Sequence, residues 1–111
     1  KDGTCVRDYT HISDISQAHV LSLEKLLNDN KSDIFNIGNG SGYSILEVIN
    51  MINEVSNKEI DYEIMPRRPA DPDILVASNK KAKNILGWKP LYDDLKTIIK
   101  TAYLWHLKDL K

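Results

Sequence analysis

The most pointed chemistry in the chain lies in Pro66-Arg67-Arg68-Pro69-Ala70-Asp71-Pro72, where two adjacent arginines sit among prolines. Prolines this dense fix φ and withhold N–H donors, so the segment reads as a stiff loop rather than helix or strand. A guanidinium presents a planar fork of donors that matches phosphate oxygens in pairs, and a proline-locked loop holds that fork at little cost in ordering entropy. Arg7, distant in sequence, is a third candidate for the same anion. Asp71, just after Arg68, is placed to accept hydrogen bonds from sugar hydroxyls. Surface arginines are common and many bind nothing, so residue types alone leave two readings open, phosphate capture and an ordinary solvated loop.

Two other patterns compete for attention. Gly38, Gly40 and Gly42 lie between an apolar run and a helical pattern, with Asp61 following at about 20 residues, and this resembles a dinucleotide-binding fingerprint. The third glycine position of that fingerprint is Tyr43, whose side chain would block the close helix–strand packing that a small residue permits; a plain glycine loop at a helix start accounts for the run as well. Tyr92 and Lys96 have the spacing at which a lysine can lower a tyrosine's pKa, yet Tyr92 falls at or before a helix start and Asp93 and Asp94 compete for the lysine's charge. His11, His19 and His106 show no metal-ligand spacing, and His106 beside Trp105 reads as packing on an apolar face. Cys5, the only cysteine, reads as a small half-buried residue. No catalytic or metal-ligating residue is assigned.

Elements that would position the arginines can be read from periodicity. Cys5–Ile12 is β-branched and aromatic and runs into Ser13-Asp14, which reads as a strand followed by a capped helix over about 14–28. On that helix Ile15, Val20, Leu23, Leu26 and Leu27 share a face while Leu21 points nearly opposite, an apolar arc wide enough to pack on two sides. Ile34-Phe35-Asn36-Ile37 predicts a buried strand before the glycine loop, and Ser44 with Glu47 forms a capping box for a helix over about 45–56. Ile60, Tyr62 and Ile64 alternate with acids, the period of a half-exposed strand. Ser78 is expected to cap a short helix stopped by Gly87 and Pro90, and Asp93 or Asp94 to start a last helix whose apolar face is Leu95, Ile98, Ile99, Ala102, Tyr103 and Trp105. The fold class is α/β, with about four helices and three or four short strands.

A length of 111 residues allows one modest core, and a net charge of -1 without a basic tail gives sequence-independent nucleic-acid binding no electrostatic drive. No stretch approaches the roughly 20 apolar residues of a membrane span, and no export signal opens the chain, so a cytoplasmic protein is expected, with no nucleic-acid and no membrane partner. The opening Lys1-Asp2-Gly3-Thr4 is not a structural beginning, and a piece of something longer is expected.

Four segments make the chain recognisable. Asp2-Gly3-Thr4-Cys5-Val6-Arg7-Asp8-Tyr9-Thr10-His11-Ile12-Ser13-Asp14, Phe35-Asn36-Ile37-Gly38-Asn39-Gly40, Pro66 to Pro72, and Leu86-Gly87-Trp88-Lys89-Pro90, in that order and with the closing Trp105-His106, resemble the C-terminal part of the UDP-glucose 4-epimerases (UDP-galactose 4-epimerases), a branch of the extended short-chain dehydrogenases. The resemblance covers essentially the whole chain. It implies a Rossmann-like parent enzyme of which residues 1–111 are the C-terminal UDP-sugar-binding domain. The NAD-binding domain and the catalytic Tyr–Lys set would lie outside this chain, which would be inactive alone. In such enzymes NAD removes a hydride from C4 of the hexose, the keto sugar turns over, and the hydride returns to the other face. UDP-glucose and UDP-galactose are the implied partners, and a homodimer the implied parent assembly.

Carried over by position, Arg7 and Arg68 match the family's diphosphate-binding arginines, Asp71 its ribose-hydroxyl acceptor, Ile45 an apolar contact to uridine and Leu75 a residue lining the sugar pocket. Arg67 is then left to order the loop. A leucine at 75 leaves the sugar range open, N-acetylated hexoses included. Cys5 stands where glycine is commoner, and Pro69-Ala70 replaces a more usual pair ending in glycine. Faces that the parent's larger domain would cover are expected to leave the isolated piece self-associating or marginally stable. The alternatives are a fragment of a nucleotide-sugar dehydratase or decarboxylase, and a stand-alone UDP-sugar-binding module.

Overall fold

The short strand β1 (Val6–Asp8) is the hub of the computed structural model, which describes residues 2–109; Lys1 of the opening segment lies outside them. Five further elements follow: α1 (Ile12–Asp29), β2 (Gly42–Ser44), α2 (Ile45–Ser56), β3 (Ile74–Leu75) and α3 (Leu95–Asp109), with a π-helical turn at Ala82–Leu86 before the last. The sheet runs β2-β1-β3, with β1 antiparallel to β2 (Val6 opposite Ser44) and parallel to β3 (Val6 beside Ile74).

Helix ends follow the local chemistry closely. At α2 the Ser44 side chain accepts from the Glu47 amide while Glu47 accepts from the Ser44 amide, the reciprocal capping box read from sequence. Gly87, at φ 68°, ends the π-helical turn as expected, and Asp94, the second of the two acids considered, accepts from the Thr97 amide at 3.3 Å and hydroxyl at 2.8 Å. Helix α1 starts two residues earlier than expected, because its cap is neither Ser13 nor Asp14. The His11 ring Nδ1 accepts from the Ser13 amide at 3.0 Å, and its Nε2 meets the Thr101 hydroxyl of α3 at 2.9 Å. Ser78 likewise caps nothing; the neighbouring Asn79 is buried and donates to the Gly38 carbonyl.

Asp14, released from capping, stitches the core shut. Its carboxylate accepts from the amides of Leu91 and Tyr92, both at 3.0 Å, and its carbonyl accepts from the Trp88 indole N–H at 2.8 Å. Trp88, 1% exposed, packs with Ala18 and Ala82 and is flanked by Leu21, Phe35, Ile37 and Leu86. Leu21 thus packs inward while Leu23, Leu26 and Leu27 remain exposed, so the wide apolar arc of α1 is real but covered on one side only.

Three expected strands are corrected. Ile34–Ile37 is extended but joins no ladder; Phe35 and Ile37 pack on the core while Ile34 is 80% exposed. The alternation of Ile60, Tyr62 and Ile64 is genuine, but no strand lies alongside to receive its hydrogen bonds, and all three are exposed. The Cys5–Ile12 run keeps strand geometry only over Val6–Asp8, since the histidine cap turns the chain into helix. β2 forms at the end of the expected glycine loop and β3 in a stretch to which no element was assigned: Gly42 has no side chain to oppose Val6 and Val76, which lets the strands close. On α3, Leu95 is buried and Tyr103 half-buried, but Trp105 and His106 are exposed, so the packing expected of that pair is not made.

The chain exposes 8532 Å², against roughly 6,200 Å² for a free-standing globule of 12.7 kDa. Its radius of gyration is 16.7 Å, where about 13 Å is usual for this length. Both values describe a structure with large faces left open.

Candidate functional site

Alternation along β1 sends Arg7 to one face of the sheet and Val6 and Asp8 to the other. Arg7 is held twice, its Nη1 donating to the Val6 carbonyl at 2.9 Å and its Nη2 to Asp71 Oδ1 at 2.8 Å. The other oxygen of Asp71 accepts from Arg68 Nη2 at 3.1 Å. One carboxylate therefore joins two arginines 61 positions apart in the chain, each on its own oxygen.

A turn makes that meeting possible. Arg68-Pro69-Ala70-Asp71 is closed by the Asp71 amide donating to the Arg68 carbonyl at 3.3 Å, with Ala70 at φ 61°. Proline at the second position and a positive φ at the third are the features of a type II turn, which brings its first and fourth residues to one side. Alanine pays a steric penalty there that glycine would avoid. Arg67 points elsewhere and pairs with Asp73, whose carbonyl accepts from the Val6 amide at 2.8 Å. Arg67 thus ties the loop to the strand hub, in keeping with the ordering role expected of it.

Arg68 and Asp71 edge a groove of about 580 Å³ lined also by Cys5, Ile45, Tyr62 and Ile64, with Arg7 behind Asp71. The structure thus brings together four of the five expected site residues: Arg7, Arg68 and Asp71 as one cluster, with Ile45 on the apolar wall beside it. Leu75 lies next to Arg7 in the β1–β3 register and is exposed, outside this groove. Cys5 is half-buried, its sulfur 3.7 Å from Arg67 Nη1 and 3.9 Å from Asp71 Oδ2. Hydrogen bonding from Arg68 is the largest influence on the Asp71 carboxyl; desolvation opposes it, and with the charges of Arg68 and Arg7 added the pKa lies below its ordinary value, although Arg7 makes the shorter contact. Asp71 is thus an anion at neutral pH.

The glycine loop does other work. A Cβ on Gly38 would lie 2.5 Å from Asp8 Oδ2 and 2.7 Å from the Ala77 Cβ, so the loop presses directly on β1 and on the chain after β3. The Asp8 carboxylate accepts from the amides of Asn39 and Gly40, both at 3.0 Å, and of Ala77 at 3.4 Å. At the start of α2 the amides of Ile45, Leu46 and Glu47 are taken by the Cys5 carbonyl, the Thr4 hydroxyl and Ser44. No donor at the start of α2 is left to cradle a pyrophosphate, so the glycine loop does not fit a dinucleotide. Tyr92 packs at a tilt against His11 with ring centroids 4.7 Å apart and donates its amide to Asp14, which ties it to the corner before α3. Among the described residues no group of three His, Cys, Asp or Glu side chains could hold a metal, and no helix is long and apolar enough to cross a membrane.

Three side chains that organise the fold carry less sequence signal: Asp8, which pins the glycine loop to β1, and Asp14 and His11, which tie α1 to the corner before α3 and to α3 itself. Asp8 left a readable signal, an acid at a strand end in a chain that also carries a glycine loop rich in free amides. The partners of Asp14 are more than seventy residues away and left none.

This is an α/β architecture that solved epimerases of Rossmann-like fold share. The chain belongs to the family described as GDP-mannose 4,6 dehydratase, whose model matches residues 2–101. It is 52% identical over 106 residues to the UDP-glucose 4-epimerase of Lacticaseibacillus casei, an alignment that takes in 96% of this chain and 32% of that protein. A crystal structure of a UDP-glucose 4-epimerase superposes with a TM-score of 0.93 at 50% identity, covering 99% of this chain and 33% of the other. The UDP-glucose 4-epimerase of Stenotrophomonas maltophila, solved with bound NAD and formylated UDP-arabinopyranose, superposes with a TM-score of 0.91 at 35% identity over 98% of this chain and 32% of its own. The chain therefore spans about a third of the length of the relatives it matches.

Proposed function

We propose that residues 1–111 form the C-terminal substrate-binding domain of a cytoplasmic, NAD-dependent UDP-glucose/UDP-galactose 4-epimerase, and that they anchor the UDP part of the substrate. The observation that carries this reading is the convergence of Arg7 and Arg68 beside an apolar groove that contains Ile45. Two guanidiniums suit a diphosphate, the Asp71 carboxylate suits the ribose hydroxyls, and Ile45 offers an apolar wall to the uracil ring. Holding the nucleotide at these points leaves the hexose free to turn, so the anchor serves the reaction by fixing one end of the substrate. Leu75, on the strand beside Arg7, faces the sugar in this reading.

In this reading the NAD site lies outside the chain, which alone performs no hydride transfer. NAD, which the Stenotrophomonas structure contains, would be held by parts of the longer enzyme. The large open faces are the surfaces such parts would cover. The family name alone favours the dehydratase alternative, while relatives at 47–52% identity carry the epimerase name, which supports the epimerase reading. The test is a calorimetric titration of UDP into the protein at its natural length, with Arg7→Ala and Arg68→Ala beside it. Loss of one charge-assisted contact should cost about 1.5–3 kcal/mol, roughly ten- to a hundredfold in affinity. Unchanged affinity in both variants would refute the anchor.

A further inference from the structure

The two arginines are already occupied by an anion, and that anion belongs to the protein. Asp71 gives Oδ1 to Arg7 and Oδ2 to Arg68 across 2.8 and 3.1 Å, the separations a bound phosphate would adopt. Arg7, Arg68 and Asp71 together carry a single net positive charge, and Arg67 is neutralised separately by Asp73. Any incoming anion must therefore compete with a carboxylate tethered by the turn at Ala70, a competitor present at high effective concentration.

We infer that Asp71 is a specificity-determining residue: a resident counter-anion that keeps free inorganic phosphates off the arginine pair and yields to a ligand whose sugar hydroxyls replace the arginines as its hydrogen-bond donors. The inference rests on the UDP-anchoring reading and deepens it. A nucleoside diphosphate brings both halves of the exchange, phosphate oxygens for Arg7 and Arg68 and hydroxyls for the carboxylate they release. Pyrophosphate brings only the first half, so its binding leaves Asp71 without its arginine donors beside a multiply charged anion, which is unfavourable twice. Simple ordering of the arginines by Asp71 does not explain the arrangement as well. Arg7 also donates to the Val6 carbonyl at 2.9 Å, and its side chain is only 22% exposed, so the strand orients it independently of the ion pair.

The experiment measures binding of inorganic pyrophosphate and of UDP, by calorimetry at fixed ionic strength, to the natural-length protein and to Asp71→Asn and Asp73→Asn. Removing the competing charge at contact distance in a water-exposed site should tighten pyrophosphate binding to Asp71→Asn by at least about fivefold. UDP should gain less or lose affinity, so that the preference for UDP over pyrophosphate falls by about tenfold or more. Asp73→Asn adds the same unit of charge but frees Arg67 rather than the pair, and should change that preference by less than about twofold. Should the asparagine variant not fold, Asp71→Ala is read by the same titrations. If UDP binds the unmodified protein yet pyrophosphate binds Asp71→Asn no more tightly, the competition is refuted while the anchor stands. An equal effect from Asp73→Asn overturns it too, by assigning the gain to net charge. If the unmodified protein binds no UDP, the underlying reading fails and this inference with it.

Discussion

Replacing Asp14 by alanine tests the reasoning that ties the fold together, because this buried carboxylate joins the first turn of α1 to the corner before α3. Asp14 is 3% exposed, and its two oxygens accept the amides of Leu91 and Tyr92 at 3.0 Å each. Alanine removes the acceptor of both amides, which lie at a part-buried corner where Asp14 is covered although Leu91 and Tyr92 are themselves exposed. At about 1–3 kcal/mol for each stranded donor, the loss should be about 2–5 kcal/mol once partial relaxation is allowed. A folded protein has roughly 5–15 kcal/mol in total, so the natural-length variant should remain folded in the cold and melt much earlier. Asp14→Asn should lie between, since an amide can accept one of the two bonds but turns a donor toward the other N–H. The assay is urea unfolding of the natural-length protein, followed by UDP titration at a temperature where the variant is native. Stability should fall with UDP affinity unchanged, because Asp14 contributes nothing to the arginine cluster. A loss below about 1 kcal/mol would show that the corner is held by packing of Trp88 alone and would refute the argument.

Other consequences can be checked with simple means. Asp2 accepts from the Ser44 hydroxyl and then from Thr4, which lowers its pKa from 3.8 to about 2, and Asp71 is lowered by Arg68 and Arg7. Folded-state values below the unfolded ones mean that both groups stabilise the native state at neutral pH and that this contribution is lost as pH falls from about 4 toward 2. The urea midpoint should therefore drop over that window, less steeply in Asp2→Asn; a midpoint that rises on acidification would contradict it. The 111-residue chain by itself, with more than 8,500 Å² exposed, should self-associate or melt with poor cooperativity in sedimentation and calorimetry. A sharply melting monomer at high concentration would show that the open faces are tolerated.

Local chemistry made much of this fold legible. Ser44 with Glu47 fixed the start of α2 to the residue, Gly87 fixed the end of the π-helical turn, and three prolines identified the arginine loop. What could not be read were pairings that depend on distant partners. Ile60, Tyr62 and Ile64 carry the period of a strand, yet a period gives no neighbour, and none lies alongside. The glycine run resembled a cofactor loop because its spacing is the same for two causes; only the Asp8 carboxylate and the filled amides of α2 separate them. His11 was passed over because a histidine cap has no sequence signature comparable to serine or aspartate. At the site, Arg7, Arg68 and Asp71 could be named through resemblance, whereas their mutual contact was not foreseen. It depends on a turn with Ala70 in a left-handed conformation, which alanine does not advertise.

Cys5 offers the most direct probe of the central claim, since its sulfur lies on the groove wall 3.9 Å from Asp71. The measurement is the rate of Cys5 alkylation by iodoacetamide in the natural-length protein, resolved by peptide mass spectrometry, as UDP is titrated in. The anchoring account requires the rate to fall by about tenfold or more, with a midpoint equal to the calorimetric Kd, and requires Arg68→Ala to move that midpoint to higher UDP. UDP that binds by calorimetry while Cys5 reacts at an unchanged rate would place the nucleotide elsewhere and contradict the account.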